Sequence, residues 1–171
     1  MPGIGRMERN RLLVSKVAKA CALIFGLISL VALVIAISDI AYALDGWYMK
    51  NARAPMAYKA AMSAYRFAIF ALLFAFFVSC GRRGATPFGR AQTAMLAISG
   101  VLIGLYGVIG EFGADWVNHL PKLMYYVDPV STMYSYPGGW LLYVGFGVFL
   151  VCLAVMFHYA NELYEDSDSI V

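Results

Sequence analysis

The sequence predicts an all-α membrane protein, a transmembrane four-helix bundle with both termini in the cytoplasm. Two observations favour this fold. Four uncharged apolar runs, each about as long as a bilayer crossing, occupy much of the 171 residues, and only 13% of the residues are charged, against roughly 25% in soluble domains. Backbone groups in hydrocarbon must be paired within their own segment, and the alternating pattern of barrel strands is missing, so helices are expected.

The runs are long enough for helical crossings. A crossing needs about 20 apolar residues, because a helix rises about 1.5 Å per residue through a core about 30 Å thick. The second run is short unless residues 60–64 extend it, which carries Arg66 below the lipid surface. We predict one integral membrane domain, 1–171, with spans at about 20–40, 60–80, 88–112 and 139–160.

Basic residues predict the orientation of these spans. They favour short cytoplasmic loops, and most precede the first span or lie in the loop at 81–90, namely Arg6, Arg9, Arg11, Lys16, Lys19, Arg82, Arg83 and Arg90. The other two loops, 41–59 and 111–138, are therefore predicted to be outside. Tryptophan favours the headgroup layer, and Trp47, Trp116 and Trp140 all fall on this outer side.

The first run allows a second interpretation, as a signal peptide. A basic start, an apolar run and Ala41-Tyr42-Ala43 resemble its three parts. The apolar part of a signal peptide is usually about 7–15 residues long, and this run is longer. We therefore expect the segment to be retained as the first span.

Cysteines and histidines indicate no cofactor. Cys21, Cys80 and Cys152 are predicted near the cytoplasmic ends of spans, without a C-x-x-C pair. Buried apolar packing is the favoured interpretation, and a shared inner metal site is the alternative. His119 falls in an outer loop and His158 at the inner end of the fourth span, so the paired histidines of a membrane haem site are not expected.

The third span carries a stripe of glycines. Gly100, Gly104 and Gly107 recur at helical spacing, which lets a second helix backbone approach closely. Packing inside the bundle is favoured, and a homodimer seam is the alternative. Before this span, Thr86 is predicted as the N-cap and Pro87 as the first helical residue.

The second outer loop, 111–138, is unusually long and aromatic. Loops of this length are commonly functional lids or disordered linkers, and this composition is too apolar for disorder. We expect it to lie on the outer face, and the functional alternative is a cap over a cleft that recognises a lipid, a peptide or a small amphiphile. The candidate cap residues are Trp116, Tyr125, Tyr126, Tyr134 and Trp140.

Three ionisable residues are predicted near the outer boundary. Asp39, Arg66 and Glu111 end or enter the first three spans, and such residues are costly in a membrane and often functional. They could form one polar cluster, although the favoured interpretation is that each reaches water at its own helix end. A carboxylate near the midplane, as a coupled transporter requires, is not predicted.

The cytoplasmic side offers a candidate interaction surface of opposite charges. The inner loop is basic and the tail, 161–171, is acidic. We predict that they pair, with a freely solvated tail as the alternative. The residues are Arg82, Arg83, Arg90, Glu162, Glu165, Asp166 and Asp168.

These same segments carry a resemblance to a protein family. Thr86-Pro87-Phe88 before a span, and an acidic ending that closes on Ile170-Val171, resemble small bacterial four-span membrane proteins with a domain of unknown function. That resemblance implies a bacterial cytoplasmic membrane and, because members are often encoded beside a helix-turn-helix regulator, a regulatory or accessory role. It transfers no catalytic residues.

Two classes of function follow. A regulatory, sensing or accessory module, acting through the inner loop and tail on a cytoplasmic regulator or another membrane protein, is the first expectation. A lipid or small-molecule binding or transport protein with an aromatic outer cap is the alternative. An enzyme is not expected, since G-x-S-x-G, H-E-x-x-H and P-loop motifs are missing. The predicted partner is the bilayer, with a second copy of the chain as a further candidate, and direct nucleic-acid binding is not expected.

Overall fold

The computed structural model confirms the all-α membrane fold with four long helices. They are α1 Ile4–Asp45, α2 Arg53–Gly81, α3 Arg90–His119 and α4 Gly139–Asp168. Residues 4–45, 53–81, 89–119 and 139–168 are described, with side chains at 15–45, 56–81, 89–113 and 139–161, and these residues contain no strand. Each helix has a stretch long and apolar enough to cross a membrane: Ser15–Asp45, Met56–Gly81, Arg90–Gly113 and Gly139–Asn161.

The helices extend beyond the predicted spans. α1 continues to Asp45 and α2 begins at Arg53, so most of the predicted outer loop 41–59 is helical, including Ala41-Tyr42-Ala43. α3 likewise continues through 111–119, where the second outer loop was predicted to begin. A helix pairs its own backbone in water and in lipid alike, so it need not end at the bilayer surface. Pro55 lies in the first turn of α2, where its missing N–H is tolerated.

α3 begins three residues later than the predicted start at Pro87. Its first helical residue is Arg90, and the carbonyl of Gly89 accepts hydrogen bonds from the Thr93 N–H at 3.1 Å and the Thr93 hydroxyl at 3.0 Å. Glycine is acceptable at an N-cap position, and it occupies that position here. Thr86 and Pro87 lie outside the described residues.

Consecutive helices pack against each other in an antiparallel row. α1 packs on α2, α2 on α3 and α3 on α4. Along α1 and α2, Phe25 stacks on Phe77 at one end of the pair and Asp39 binds Lys59 at the other. An even number of crossings brings the start of α1 and the end of α4 to the same end of the bundle. We call the opposite end the outer end, following the predicted orientation.

The core lies in the middle and at one side of the row. Its buried residues come from α2, α3 and α4: Met62, Ile69, Leu73, Leu96, Ile103, Tyr106, Leu150 and Ala154. α1 instead buries small residues, Ala18, Ala22, Ser29 and Ala36. Both flanking helices expose many large apolar side chains, such as Leu23 and Val34 on α1 and Leu142 and Val155 on α4. These exposed faces suit the hydrocarbon of a bilayer.

Candidate functional site

The α3–α4 interface is closed by glycine backbones. A Cβ added at Gly100 would lie 2.7 Å from the Gly147 carbonyl oxygen, and one added at Gly107 would lie 2.6 Å from the Tyr143 Cβ. Gly104 is looser, since its added Cβ would have only the Val144 Cα, 4.0 Å away. The predicted glycine stripe therefore faces α4 within the bundle, and this contact accounts for it without a second copy.

The α1–α2 interface is instead joined at its outer end by polar groups. The Asp39 carboxylate lies 3.0 Å from the Lys59 ammonium, and its other oxygen accepts a hydrogen bond from the Ser63 hydroxyl. The Asp39 side chain is only 11% exposed, whereas that of Lys59 is 45% exposed. The buried carboxylate thus gains two partners, while the long lysine stem keeps its ammonium near the surface.

Helical spacing aligns the α2 partners with α1. Lys59, Ser63 and Arg66 follow each other at intervals of four and three residues, which places them on one face of α2. In the antiparallel pair, the outer end of α1 brings Asp39 opposite the first two of them. The third residue, Arg66, lies about 10 Å deeper along the axis than Lys59, at about 1.5 Å per residue.

Arg66 contacts α3 from within α2. It lies six residues after the predicted start of the second span at about residue 60, or about 9 Å along the helix. Its guanidinium carbon lies 5.8 Å from the centre of the Tyr106 ring on α3. Its Nε is buried and has no hydrogen-bond partner among the described residues. A cation in hydrocarbon with an unused donor is costly and is commonly part of a functional site.

Beside Arg66, a groove of about 320 Å³ runs between α1 and α2. Its walls are apolar except for two side chains, and the lining includes Leu27, Val31, Ile35, Ser63, Arg66 and Phe70. The three aliphatic residues on α1 are exposed, so the groove is open on the side that a bilayer would cover. Its volume lies at the lower end of the range typical of ligand pockets, about 300–1,000 Å³.

Tyrosines fix α3 and α4 around the guanidinium. The Tyr65 hydroxyl donates to the Leu102 carbonyl at 3.0 Å, and its ring stacks on Tyr106 with centroids 5.9 Å apart. Tyr106 in turn meets the edge of Tyr143 at 5.6 Å. Ring contacts of this kind add about 0.5–1.5 kcal/mol beyond area burial, so the platform under Arg66 is held by three helices.

Among the described residues, no ion pair joins the three ionisable residues that were candidates for one cluster. Asp39 binds Lys59, and Arg66 lies against the groove and Tyr106. Glu111, half-buried on α3, makes no ion pair with either of them within the described residues. Sequence reasoning missed Lys59 and Ser63 because it assigned Lys59 to an outer loop. A longer predicted α2 would have placed Lys59 and Ser63 on the same helical face as Arg66, because they precede it by seven and three residues.

The predicted aromatic cap is only partly described. Trp140 lies on α4 with its ring 6.1 Å from that of Phe112 on α3, so it packs on a neighbouring helix. Trp116 belongs to α3, but its side chain is outside the described residues. Tyr125, Tyr126 and Tyr134 also lie outside them. The cap therefore stays a prediction.

The predicted inner surface is described mainly by its backbone. Arg90 is exposed at the first residue of α3, and Arg82 and Arg83 lie outside the described residues. α4 continues to Asp168, which makes most of the tail helical. The side chains of the acidic residues Glu162, Glu165, Asp166 and Asp168 are outside the described part, so their pairing with the inner loop stays a prediction.

The thiols and other metal-binding groups are scattered. Cys21, Cys80 and Cys152 are free, and the third of them is exposed. Among the described residues, no three of the histidines, cysteines and carboxylates lie close enough to hold a metal ion. The shared inner metal site considered above therefore has no support from this part of the chain.

Known proteins give no further guide to the site. No family model, curated protein or solved structure matches the chain. The resemblance to a bacterial four-span family thus stays a prediction, and the function has to be argued from the groove and its charges.

Proposed function

We propose that this chain is a non-enzymatic membrane protein that binds a membrane-borne amphiphile in the α1–α2 groove. The observation that carries the proposal is Arg66, a cation with an unpartnered buried Nε beside an apolar groove that opens toward the bilayer side. An apolar pocket with a few polar groups is the usual form of a small-molecule site. An amphiphilic ligand would match both the apolar walls of this groove and its charged Arg66 side chain.

The groove is reached from the side rather than through the aromatic outer loop. Leu27, Val31 and Ile35 are exposed along its α1 wall, so an amphiphile already in the bilayer can enter without crossing water. We place both termini inside the cell, as the charge pattern predicts, and the protein in a bacterial cytoplasmic membrane, as the resemblance to the four-span family implies. In this role the protein needs no cofactor and no contact with nucleic acid.

Two valines on α1 offer a matched test. Val31 lines the groove and is 56% exposed, whereas Val34 lies outside the groove lining and is 60% exposed. Val31→Phe fills the groove, and Val34→Phe adds the same ring to the general lipid face. We expect purified wild-type protein and Val34→Phe to retain about one tightly held amphiphile per chain, measured by mass spectrometry of extracted lipids.

We expect loss of the bound amphiphile in Val31→Phe and not in Val34→Phe. Val31→Phe should release the amphiphile while keeping the helical content and the elution volume of the wild type. Equal retention by Val31→Phe and Val34→Phe would show that the bound molecules belong to the general lipid shell, and the proposal would be wrong.

A second candidate function, the regulatory or accessory module, is favoured by the helical extensions at the inner end. α1 begins at Ile4, 16 residues before the predicted start of the first span at about residue 20, and α4 continues to Asp168, 8 residues beyond the predicted end of the fourth span at about residue 160. These extensions add about 24 Å and 12 Å of helix, one rich in basic residues and the other acidic. Such projections suit a cytoplasmic protein partner.

Charge reversal tests this second candidate. Changing Arg82, Arg83 and Arg90 to glutamate should release a co-purifying regulator after mild cross-linking in cells, with the membrane level of the protein unchanged. If the same soluble partner remains at wild-type yield, the basic inner loop is not its docking surface.

A further inference from the structure

The charges around the groove leave one positive group without a counter-charge. Asp39 and Lys59 neutralise each other at 3.0 Å, and Ser63 donates its hydroxyl proton to the same carboxylate. Arg66 makes no ion pair with a described carboxylate, including Glu111 on α3. The groove therefore offers a net positive charge at its polar end.

The group of Arg66 that lacks a partner among the described residues is the N–H donor at its guanidinium Nε. Tyr106 lies 5.8 Å from the guanidinium carbon, within the range of a cation–π contact. A ring face in this position supports the cation electrostatically but is not a hydrogen-bond partner of Nε. The buried Nε has no acceptor among the described residues, and guanidinium N–H groups match the oxygens of phosphates and carboxylates. The missing group is an oxyanion.

The position of Arg66 suits an oxyanion at the bilayer surface. Side chains on a helix lean toward its N-terminus, and α2 starts at the outer end, so the Arg66 stem leans toward the surface. Lys59 lies about 10 Å higher on the same face, and we take its ammonium to lie at the bilayer surface, because lysine side chains near a helix end extend to the interface. A phosphate held between these two levels would lie at the boundary of the hydrocarbon.

The length of the groove suits an acyl chain. Ile35 and Leu27, at the two ends of the α1 wall, are eight residue steps apart, or about 12 Å. Half of a bilayer's hydrocarbon core is about 15 Å. The wall is therefore close in length to one leaflet, and an acyl chain can follow it from beside Arg66 toward Phe70.

We propose that the groove is a site for an anionic phospholipid of the outer leaflet, with its phosphate on Arg66 and one acyl chain along Leu27, Val31 and Ile35. This inference rests on the proposed function and assigns its ligand class. The second acyl chain stays in the bilayer, because the exposed α1 wall leaves the groove open along its length.

The test compares two phospholipids with the same acyl chains, phosphatidylglycerol and phosphatidylcholine, added to delipidated full-length protein and counted by native mass spectrometry. Wild type should prefer phosphatidylglycerol about 10-fold or more, because its headgroup has a net negative charge, whereas the choline cation of phosphatidylcholine neutralises the phosphate and repels the guanidinium. Arg66→Gln should lose that preference, with a larger loss of phosphatidylglycerol binding than of phosphatidylcholine binding. Arg66→Lys should keep part of it, because the charge remains but the N–H fork is lost.

Arg90 supplies the matched control. It is an exposed arginine at the opposite end of the bundle, so Arg90→Gln should keep the wild-type preference. A preference lost equally in Arg90→Gln and Arg66→Gln would indicate general attraction of anionic lipid and would overturn the proposal. Thermal unfolding of each delipidated variant shows whether it is folded, and Arg66→Lys serves as the test variant if Arg66→Gln is not.

The groove variants separate the two proposals. If Val31→Phe abolishes binding while Arg66→Gln and Arg66→Lys keep the wild-type lipid preference, the groove binds an amphiphile but the assignment of an anionic headgroup is wrong. If Val31→Phe and both arginine variants all match wild type, the groove is not a lipid site and both proposals fail. A fatty acid that binds through Arg66 when phosphatidylglycerol does not would overturn the phospholipid assignment alone.

Discussion

The two outer helix pairs, α1–α2 and α3–α4, are packed by different means. In α3–α4 the backbones touch through Gly100 and Gly147, with no room for a ligand at that contact. In α1–α2 the outer end is held by the ion pair of Asp39 and Lys59, and the apolar stretch below it leaves a groove of about 320 Å³. α1 also buries small residues where it packs on α2, and the groove lies beside that contact, among larger side chains such as Ile35 and Phe70.

This difference is the reason for proposing that α1–α2 serves binding and α3–α4 serves stability. Close backbone contact gives α3–α4 dispersion energy along its length without polar groups, which is how helices associate in lipid. The α1–α2 pair keeps a charged arginine with an unused donor in a semi-open groove. Groups that cost folding energy and remain unpaired are typical of binding sites.

The largest expected effect concerns the glycine contact. A Cβ at Gly147 would meet the Gly100 carbonyl oxygen at 2.5 Å and the Gly104 nitrogen at 2.8 Å, both backbone atoms that cannot turn away. Gly147→Ala should lower the free energy of unfolding by about 1–3 kcal/mol, the usual cost of overpacking. Titration with a denaturing detergent in mixed micelles measures it.

Gly145 on the same helix is the control for this prediction. Nothing lies within 4 Å of a Cβ added there, so Gly145→Ala should be neutral or stabilising by up to about 1 kcal/mol, since alanine favours the helix. Equal destabilisation by the two variants would mean that α3 and α4 are not in backbone contact. The proposed difference in packing between α3–α4 and α1–α2 would then be wrong.

An intermediate loss of stability is expected when the Asp39–Lys59 ion pair is broken. Lys59→Met leaves the nearly buried Asp39 carboxylate with Ser63 alone, and should lower the free energy of unfolding by about 1–2 kcal/mol. Breaking a fully buried pair costs about 3–5 kcal/mol, and the exposure of Lys59 reduces that figure.

The double variant sharpens the result. In Lys59→Met with Asp39→Asn, the neutral amide oxygen still accepts from Ser63, so most of the lost stability should return. A double-mutant cycle measures the coupling. Additive losses would show that Asp39 and Lys59 do not interact, and α1–α2 would then lack the polar junction that distinguishes it.

The smallest effect is expected where the two pairs are joined. The Tyr65 hydroxyl donates to the Leu102 carbonyl across α2 and α3, and hydrogen bonds between membrane helices are worth about 0.6 kcal/mol on average. Tyr65→Phe should destabilise the protein by about that amount, measured by the same titration. Tyr159→Phe, at an exposed tyrosine, is the control and should be neutral.

Sequence reasoning predicted the helices well and their ends less well. Four apolar runs were sufficient for four helices, because an unpaired backbone in hydrocarbon costs several kcal/mol per group. Hydropathy could not indicate that α1 ends at Asp45 or that α3 ends at His119. The helical hydrogen bonding continues beyond the end of each apolar run, so hydropathy does not mark where the helix ends.

The candidate site was predicted in part. Asp39 and Arg66 were singled out because charges at these depths are costly, and the structure places Arg66 at the groove and Asp39 just above it on α1. Their partners were not predicted. Lys59 and Ser63 acquired meaning only once α2 was seen to begin at Arg53, since that puts 59, 63 and 66 on one continuous helical face.

The sequence alone determined that this chain has four helices fit for a membrane, because composition and run length decide how a backbone can be satisfied in lipid. The tertiary structure decided which side chains meet. Asp39 pairs with Lys59 rather than with Arg66 or Glu111, and a groove remains beside Arg66. The rotation and register of packed helices set these contacts, and both depend on residues distant in the chain, such as the glycines between α3 and α4.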